Sequence, residues 1–417
     1  MGKYRVAVIG GMPAPIHGAK ELGIDVVLVH EEGKYEQSIL QHTERVVHAP
    51  LADGPAIHAA LSPLHAEHPF DRVMTTTEVA AISSGYVVDQ FGLPGVTEFT
   101  ARALKDKALT RECLAKAGVE NVRYEVVSSV DEAVAFLEQV GGKIVLKPLD
   151  GAASLHIKEV ETPAQVAEAM AELAAAGITS PMAEEFLSGP VVSVDSFSFE
   201  GRHLTIGYSE YRMNDRFVEW EVSTPSRVAV PYLAELRELT AKLLDAVGVT
   251  EGPSHSEFVL TPDGPRVLES HARLAGSGAP ELVRRAFGLD LNRMFLTVPL
   301  GIDELPLESP APIGGAVALF LTPDPGPIKS ITVHEDIPAK VLRIPPGEQA
   351  PVFMPYLFEL GAEDTAVVIT KNPGDEVAPL LTVADCSNGY ILASGTDALD
   401  AIAKAEAINA QIEFAIG

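Results

Sequence analysis

The chain has 417 residues, 47% apolar and 21% charged, which excludes wholesale disorder and points to about two to four domains rather than one core. Thirty-one basic against 58 acidic residues leave a formal charge of −27, a surface that repels nucleic acid and anionic membrane. No apolar run reaches the roughly 18 residues that span a bilayer, and an anionic ligand would need cations gathered locally.

Residues 3–9 (KYRVAVI), 25–29 and 71–76 read as short buried strands, with helices expected over 14–22, 54–67 and 78–91. This is a βαβ-type opening that ends near FGLPG at 91–95. The first strand runs into a turn without the long apolar region of a signal peptide. Val6 stands where myristoylation of Gly2 favours Ser or Thr. Cys113 and Cys386 match no metal or redox spacing and read as reduced thiols of a cytoplasmic protein.

Two helices follow, 97–104 and 106–117, then strand–helix–strand over 123–148, a hairpin over 144–159 and a helix at 163–175. Residues 182–212 alternate as strands, a helix spans 231–247, and strands 255–260 and 265–271 meet at the turn TPDG. Helices are expected at 279–287 and 290–299. After the linker ESPAPIGG the chain is β-rich from about 312 and ends in a helix at 397–413.

The turn VIGGMPAP lacks the G-x-G-x-x-G pattern, and Pro13 and Pro15 would delay the helix that must cradle a pyrophosphate. It reads as a structural turn, which counts against a Rossmann oxidoreductase. Lys107 opens a helix, and Lys147 ends a strand just before Asp150-Gly-Ala-Ala-Ser154-Leu-His156. Such a small-residue loop either cradles phosphate with its N–H groups or is merely a tight turn. Glu184-Glu185-Phe186-Leu187 suits an adenine ring and its amino group, or a solvated edge strand. In HSEFVL, His255 and Glu257 share a strand face; Glu269, His271 and Arg273 do so in VLESHARLAGSG. A turn near 262–264 sets Glu257 opposite Glu269. Two carboxylates so close repel unless one is protonated or cations lie between them. Mg²⁺ on nucleotide phosphates is one solution, and a salt bridge with Arg273 is the other.

The order of these pieces resembles the ATP-grasp superfamily over about residues 1–300. The resemblance rests on Lys107, Lys147 with its loop, E-E-F-L-x-G at 184–189, and E…E-x-H-x-R ending at Arg273. It implies α/β and α+β multidomain architecture: a βαβ preface domain over 1–96, a small subdomain with the phosphate loop over 97–182, and a large subdomain over 183–417 whose β-rich part starts at about 305. It also implies ATP held by Lys107, Lys147, Ser154, Glu184 and residues 185–187 (Glu185, Phe186, Leu187). Two Mg²⁺ ions would sit on Glu257, Glu269 and His271. Arg273, with Lys147 and Ser154, would stabilise the transferring phosphoryl group. His271 stands where relatives often carry Asn; it bonds a metal-bound water, contacts phosphate or favours Mn²⁺. Val191 stands where an acid often binds ribose.

Within the superfamily the chain is similar to L-amino-acid ligases (dipeptide synthetases), including those of antibiotic pathways. That likeness implies a carboxylate–amine ligase working through an acyl phosphate, with small-molecule carboxylate and amine substrates, no nucleic-acid or membrane partner, and a homodimer. Glu78, Arg212, Arg216, Glu219, Trp220, Arg273 and Gly276 would face the substrates, Glu78 having helix N-terminal charge as its plainer role. Relatives carry F-V-E-x-G-H where this chain has Phe217-Val-Glu219-Trp-Glu-Val222, so the second-substrate pocket is altered. A purine-biosynthesis-type ATP-grasp enzyme would need a basic cluster near Glu78, which the sequence lacks. A non-catalytic nucleotide-binding protein would have no use for both acids, both lysines and Arg273 together.

Overall fold

The computed structural model describes residues 2–119, 122–151, 155–345 and 360–417. Strands β1 (Tyr4–Ile9), β2 (Ile24–His30), β3 (Arg45–His48) and β4 (Arg72–Thr75) form a parallel sheet in the order β3-β2-β1-β4. Both faces are covered, which is why β1 and β2 read as continuous apolar runs. Ala7, Ile9, Val27 and Val29 pack on Ile57 and Leu61 of α2 (Gly54–Glu67) and Val87 of α3 (Ala81–Phe91). Val6, Val8, Val26 and Leu28 face the other way, towards Ile16 in the four-residue α1 (Pro13–Ile16). The helix expected over 14–22 therefore stops early. Gly18 and Gly23 adopt φ of 74° and 73°, and such left-handed backbone ends a helix. Strand β3, only four residues long, escaped the sequence reading.

Helices α4 (Glu98–Lys105) and α5 (Lys107–Lys116) carry Ala103, Leu104 and Leu114 into one core with Leu243, Leu244 and Val247 of α8 (Leu233–Val247). They thus pack against the large subdomain, whereas the domain reading began the small one at 97. The small sheet, in the order β5-β8-β6-β7, comprises β5 (Tyr124–Val126), β6 (Ile144–Lys147), β7 (Lys158–Val160) and β8 (Met182–Glu185). The expected boundary at 182 falls inside β8. Helices α6 (Val130–Val140) and α7 (Pro163–Ala175) cover its core with Phe136, Leu137, Val166 and Met170. Thr162 and Gln165 form a capping box at the start of α7, satisfying N–H groups the helix itself leaves unpaired.

Among the described residues the large sheet has nine strands. It contains β9 (Val191–Phe199), β10 (Arg202–Met213), β11 (Glu219–Thr224), β12 (Gly252–Thr261), β13 (Gly264–His271) and β14 (Gly315–Phe320). Of the later strands, β15 (Gly326–Val333), β18 (Glu376–Val377) and β20 (Ile412–Ile416) make a small sheet of their own. The other three, β16 (Lys340–Arg343), β17 (Thr365–Ile369) and β19 (Gly389–Gly395), complete the order β13-β12-β9-β10-β11-β14-β19-β17-β16. The β-rich C-terminal part is thus continuous with strands β9 to β13 through the β11–β14 pair. Leu282 of α9 (Ala279–Phe287) packs on one face with Val222, Ala318 and Leu392. A further helix, α10 (Leu291–Thr297), follows, and α11 (Ala398–Asn409) covers the other face through Ala401, Ile402 and Ile408. The expected C-terminal helix is shorter than 397–413, and β20 replaces its end. No helix among the described residues is long and apolar enough to cross a membrane.

A buried acid fixes the turn after β11. The Glu210 carboxylate accepts from Ser226 Oγ (3.0 Å), the N–H groups of Arg227 (2.8 Å) and Val228 (3.1 Å), and Arg227 Nε (2.9 Å). Burial alone would raise its pKa, but bonds from Val228, Arg227 and Ser226 hold it below the usual range. A folded pKa lower than the unfolded one gives stability that is present above about pH 4.3 and lost as pH falls through the folded value. Glu210→Gln is expected to cost about 1.5–3 kcal/mol at neutral pH. In urea titrations the gap to the wild type should narrow on acidification; a gap independent of pH would contradict this.

Candidate active site

The β12–β13 hairpin sets Glu257 opposite Glu269 and His255 opposite His271. On the other side of β12, β9 places Ser193 beside Glu257 and Asp195 beside His255. Directly opposed residues, and residues two apart, share a face of a sheet. One row therefore reads His271, His255, Asp195, and the next reads Glu269, Glu257, Ser193. The four strand residues expected from the sequence lie on this one face; Asp195 was missed. Its only signal is an acid at the centre of VVSVDSFSF, a run otherwise of apolar residues and serines.

A chain of opposite charges crosses this face. Lys107 Nζ, at the start of α5, lies 3.0 Å from Glu269 Oε2 and donates to the Gly151 carbonyl at 2.9 Å. His271 Nε2 is 3.3 Å from Glu269 Oε1, and its Nδ1 lies 3.1 Å from Glu78 Oε2, within ion-pair distance but outside hydrogen-bond alignment. Arg273 Nε meets the same Glu78 oxygen at 2.8 Å. Glu78 opens the short turn before α3, so this contact joins the preface sheet to the large one. Burial would raise the Glu78 pKa, but the close approach of His271 and the charge of Arg273 bring it to about 2. Burial would likewise raise Glu269, yet Lys107 and His271 hold it well below the usual range. Both ring nitrogens of His271 thus face carboxylates, and burial is outweighed by Glu269 and Glu78, which raise its pKa.

Glu219 behaves differently. Burial, then the charges of Glu257 and Glu269, push its carboxyl up to about 8, with His255 opposing. This marks a local excess of negative charge that a divalent cation would relieve. Among the described residues no cluster of three His, Cys, Asp or Glu side chains is spaced to hold a metal alone. Mg²⁺ does not require one, because it takes one or two carboxylates and completes its shell with water and substrate phosphates. Glu257 and Glu269 fit that role. Glu219 lies close enough to feel the charges of both.

Its neighbours point away. The β10–β11 register shifts between Arg212 and Met213, and the extra residue opposite is Trp220. A bulge of this kind breaks the alternation of faces. Trp220 packs on the α11 side, under the Arg212 guanidinium at 5.4 Å from its ring. Arg212 pairs with Glu221 (3.2 Å) and with Glu406 of α11 (2.8 Å). Arg216 is exposed in the turn between the strands, and Val222 is buried against Leu282. Arg212 and Trp220 therefore do not share a face of the sheet with Glu219. Gly276 lies exposed in the loop before α9, with open space where a side chain would stand.

At the other end, Lys147 is 3% exposed, and its Nζ lies 2.6 Å from Glu184 Oε2. Arg111 Nε holds Glu184 Oε1 at 2.7 Å and Arg111 Nη2 donates to the Val267 carbonyl of β13 at 2.7 Å. Burial and then Arg111 and Lys107 lower the Lys147 pKa, while Glu184 raises it. Arg111 was also missed, although it stands four residues after Lys107 on the same helix face. Glu185 pairs with Arg123 at 2.7 Å, and the Phe186 N–H donates to the Lys143 carbonyl at 3.1 Å. Val191 pairs with Val259 at the start of β9 and brings no acid for a ribose. Ser154 lies outside the described residues.

Comparison with known proteins matches residues 16–95 to the ATP-grasp N-terminal domain and residues 140–281 to the ATP-grasp domain. An L-arginine-specific L-amino acid ligase of Bacillus subtilis is 25% identical over 64% of this chain and 67% of its own length. The alanine–anticapsin ligase of Bacillus subtilis is 24% identical over 55% and 53%. The match spans between 51% and 67% of the length of the first curated relatives. The crystal structure of an L-amino acid ligase from Bacillus licheniformis superposes with a TM-score of 0.76 at 21% identity, covering both chains completely. That likeness is one of fold.

Proposed function

We propose that this chain, which belongs to the ATP-grasp superfamily, is an ATP-dependent carboxylate–amine ligase acting on amino acids in specialised metabolism. Two curated relatives are named as ligases of amino acids. The observation that carries the reading is the shared face of β12 and β13, where Glu257 and Glu269 stand opposed, with Lys107 on Glu269 and Arg273 on the neighbouring Glu78. In this reading a substrate carboxylate oxygen attacks the γ-phosphorus of ATP, the bond to ADP breaks, and an acyl phosphate forms. An amine then attacks the acyl carbon, loses a proton and expels phosphate, leaving an amide.

Lys107 and Lys147 bind phosphates, and residues 185–187 receive the adenine. Glu184, already engaged by Arg111 and Lys147, acts by fixing Lys147 rather than by free contact with the base. Glu257 and Glu269 hold two Mg²⁺ ions, which when bound supply positive charge to the phosphate oxygens. Arg273 meets the charge developing on the transferred group, and Glu78 receives the amino group of an amino acid. The work is positioning and charge neutralisation, so no covalent protein nucleophile is required. A phosphorylated substrate would need spare cations beside Glu78, whereas His271 and Arg273 there are paired with Glu78 itself.

The test is phosphate release from ATP and Mg²⁺ against amino acids offered singly and in pairs. Release that needs a pair, with the amide seen by mass spectrometry, is the expected result. Tight ATP binding with no release across the array would sink the amino-acid reading.

A further inference from the structure

The two carboxylates expected to face metal are each backed by a histidine, and each histidine by another acid. Glu269 is followed by His271 and Glu78. Glu257 lies 3.5 Å from His255 Nε2, and His255 Nδ1 lies 2.9 Å from Asp195 Oδ1. Because His255 and His271 are register partners, as are Glu257 and Glu269, the two acid–histidine–acid relays run side by side. Their anchors differ. Glu78 belongs to the preface domain and is open to solvent on one side, whereas Asp195 comes from the adjoining strand and is 2% exposed.

We infer that Asp195 and His255 form a positioning pair that holds the Glu257 carboxylate in its metal-facing orientation. A buried ion pair is a poor way to gain stability, since apolar residues of similar volume commonly do as well. The burial of Asp195 is costly here, for its Oδ2 has no hydrogen-bond partner in the structure. Its one bonded oxygen goes to His255. Partners of this kind behind metal-facing groups fix orientation, and their removal commonly lowers metal affinity about 10–100-fold. Asp195 and His255 touch neither substrate nor metal; they act through Glu257. The fixed relay would set one carboxylate permanently, while the other stays linked to a group that a substrate engages.

The inference rests on the nucleotide–Mg²⁺ reading of the site, and its test separates the two. ADP binding is measured by calorimetry with and without Mg²⁺ for the wild type, Asp195→Asn and His255→Gln. Wild-type binding that Mg²⁺ does not strengthen would overturn the underlying reading. If Mg²⁺ strengthens it, both variants are expected to keep metal-free ADP affinity within about twofold and to need about 10–100-fold more Mg²⁺ for the same enhancement. Wild-type Mg²⁺ dependence in the variants would overturn the inference alone. So would equal loss of ADP affinity with and without metal, or failure of the isosteric Asp195→Asn protein to fold, because each marks a purely structural pair.

Discussion

Glu269→Gln is expected to release phosphate on the order of 10²–10³-fold more slowly than the wild type while remaining folded. The isosteric amide keeps the side-chain volume, and Lys107 retains the Gly151 carbonyl. What disappears is one of two opposed carboxylates and the counter-charge for both Lys107 and His271. In the proposed reading that carboxylate is half of the protein's hold on Mg²⁺, so the loss falls on kcat and on the Mg²⁺ requirement. Steady-state phosphate release over a range of Mg²⁺, beside a urea titration, checks both halves. Activity within threefold of wild type would remove Glu269 from the site. A collapse in the urea midpoint would instead make it a structural ion-pair partner.

The second large effect concerns Arg273 and Glu78. Arg273→Lys keeps the charge but loses the planar donor fork, so it is not a conservative change. It is expected to lower kcat on the order of 10³-fold with the KM for ATP little altered, because the group acts where charge develops during transfer. Glu78→Gln is expected to act on the amino acid instead, raising its KM roughly 10–100-fold through loss of a charge-assisted bond. Since the two side chains meet at 2.8 Å, the double variant should fall short of the product of the single effects. Multiplicative effects in such a cycle would mean that the pair does not act together in catalysis.

The strands of this site could be read from alternation, but not their full register. TPDG fixes the turn, and straight pairing from it would set Glu257 opposite Leu268; a bulge at Leu268 brings Glu257 opposite Glu269 instead. Arg212 and Trp220 were misplaced for a definite reason. A bulge leaves no mark in the alternation of EWEVST, and one extra residue sends the neighbours of Glu219 to the opposite face. Asp195 and Arg111 reach the site across long sequence separations, through strand order and helix packing that no local pattern specifies. The preface strands were legible because parallel strands covered on both faces must be apolar throughout, whereas β3, with exposed Arg45 and His48 at its ends, lacks that signal.

The bulge also gives the molecule a built-in optical probe. The chain has a single tryptophan, and that indole sits beside Glu219, beneath the Arg212 guanidinium and against α11. Its emission therefore comes from the reverse side of the wall that carries the acid cluster, shielded from direct contact with any ligand there. A change in colour or quenching on adding nucleotide would report movement of the wall itself, read through the backbone from behind.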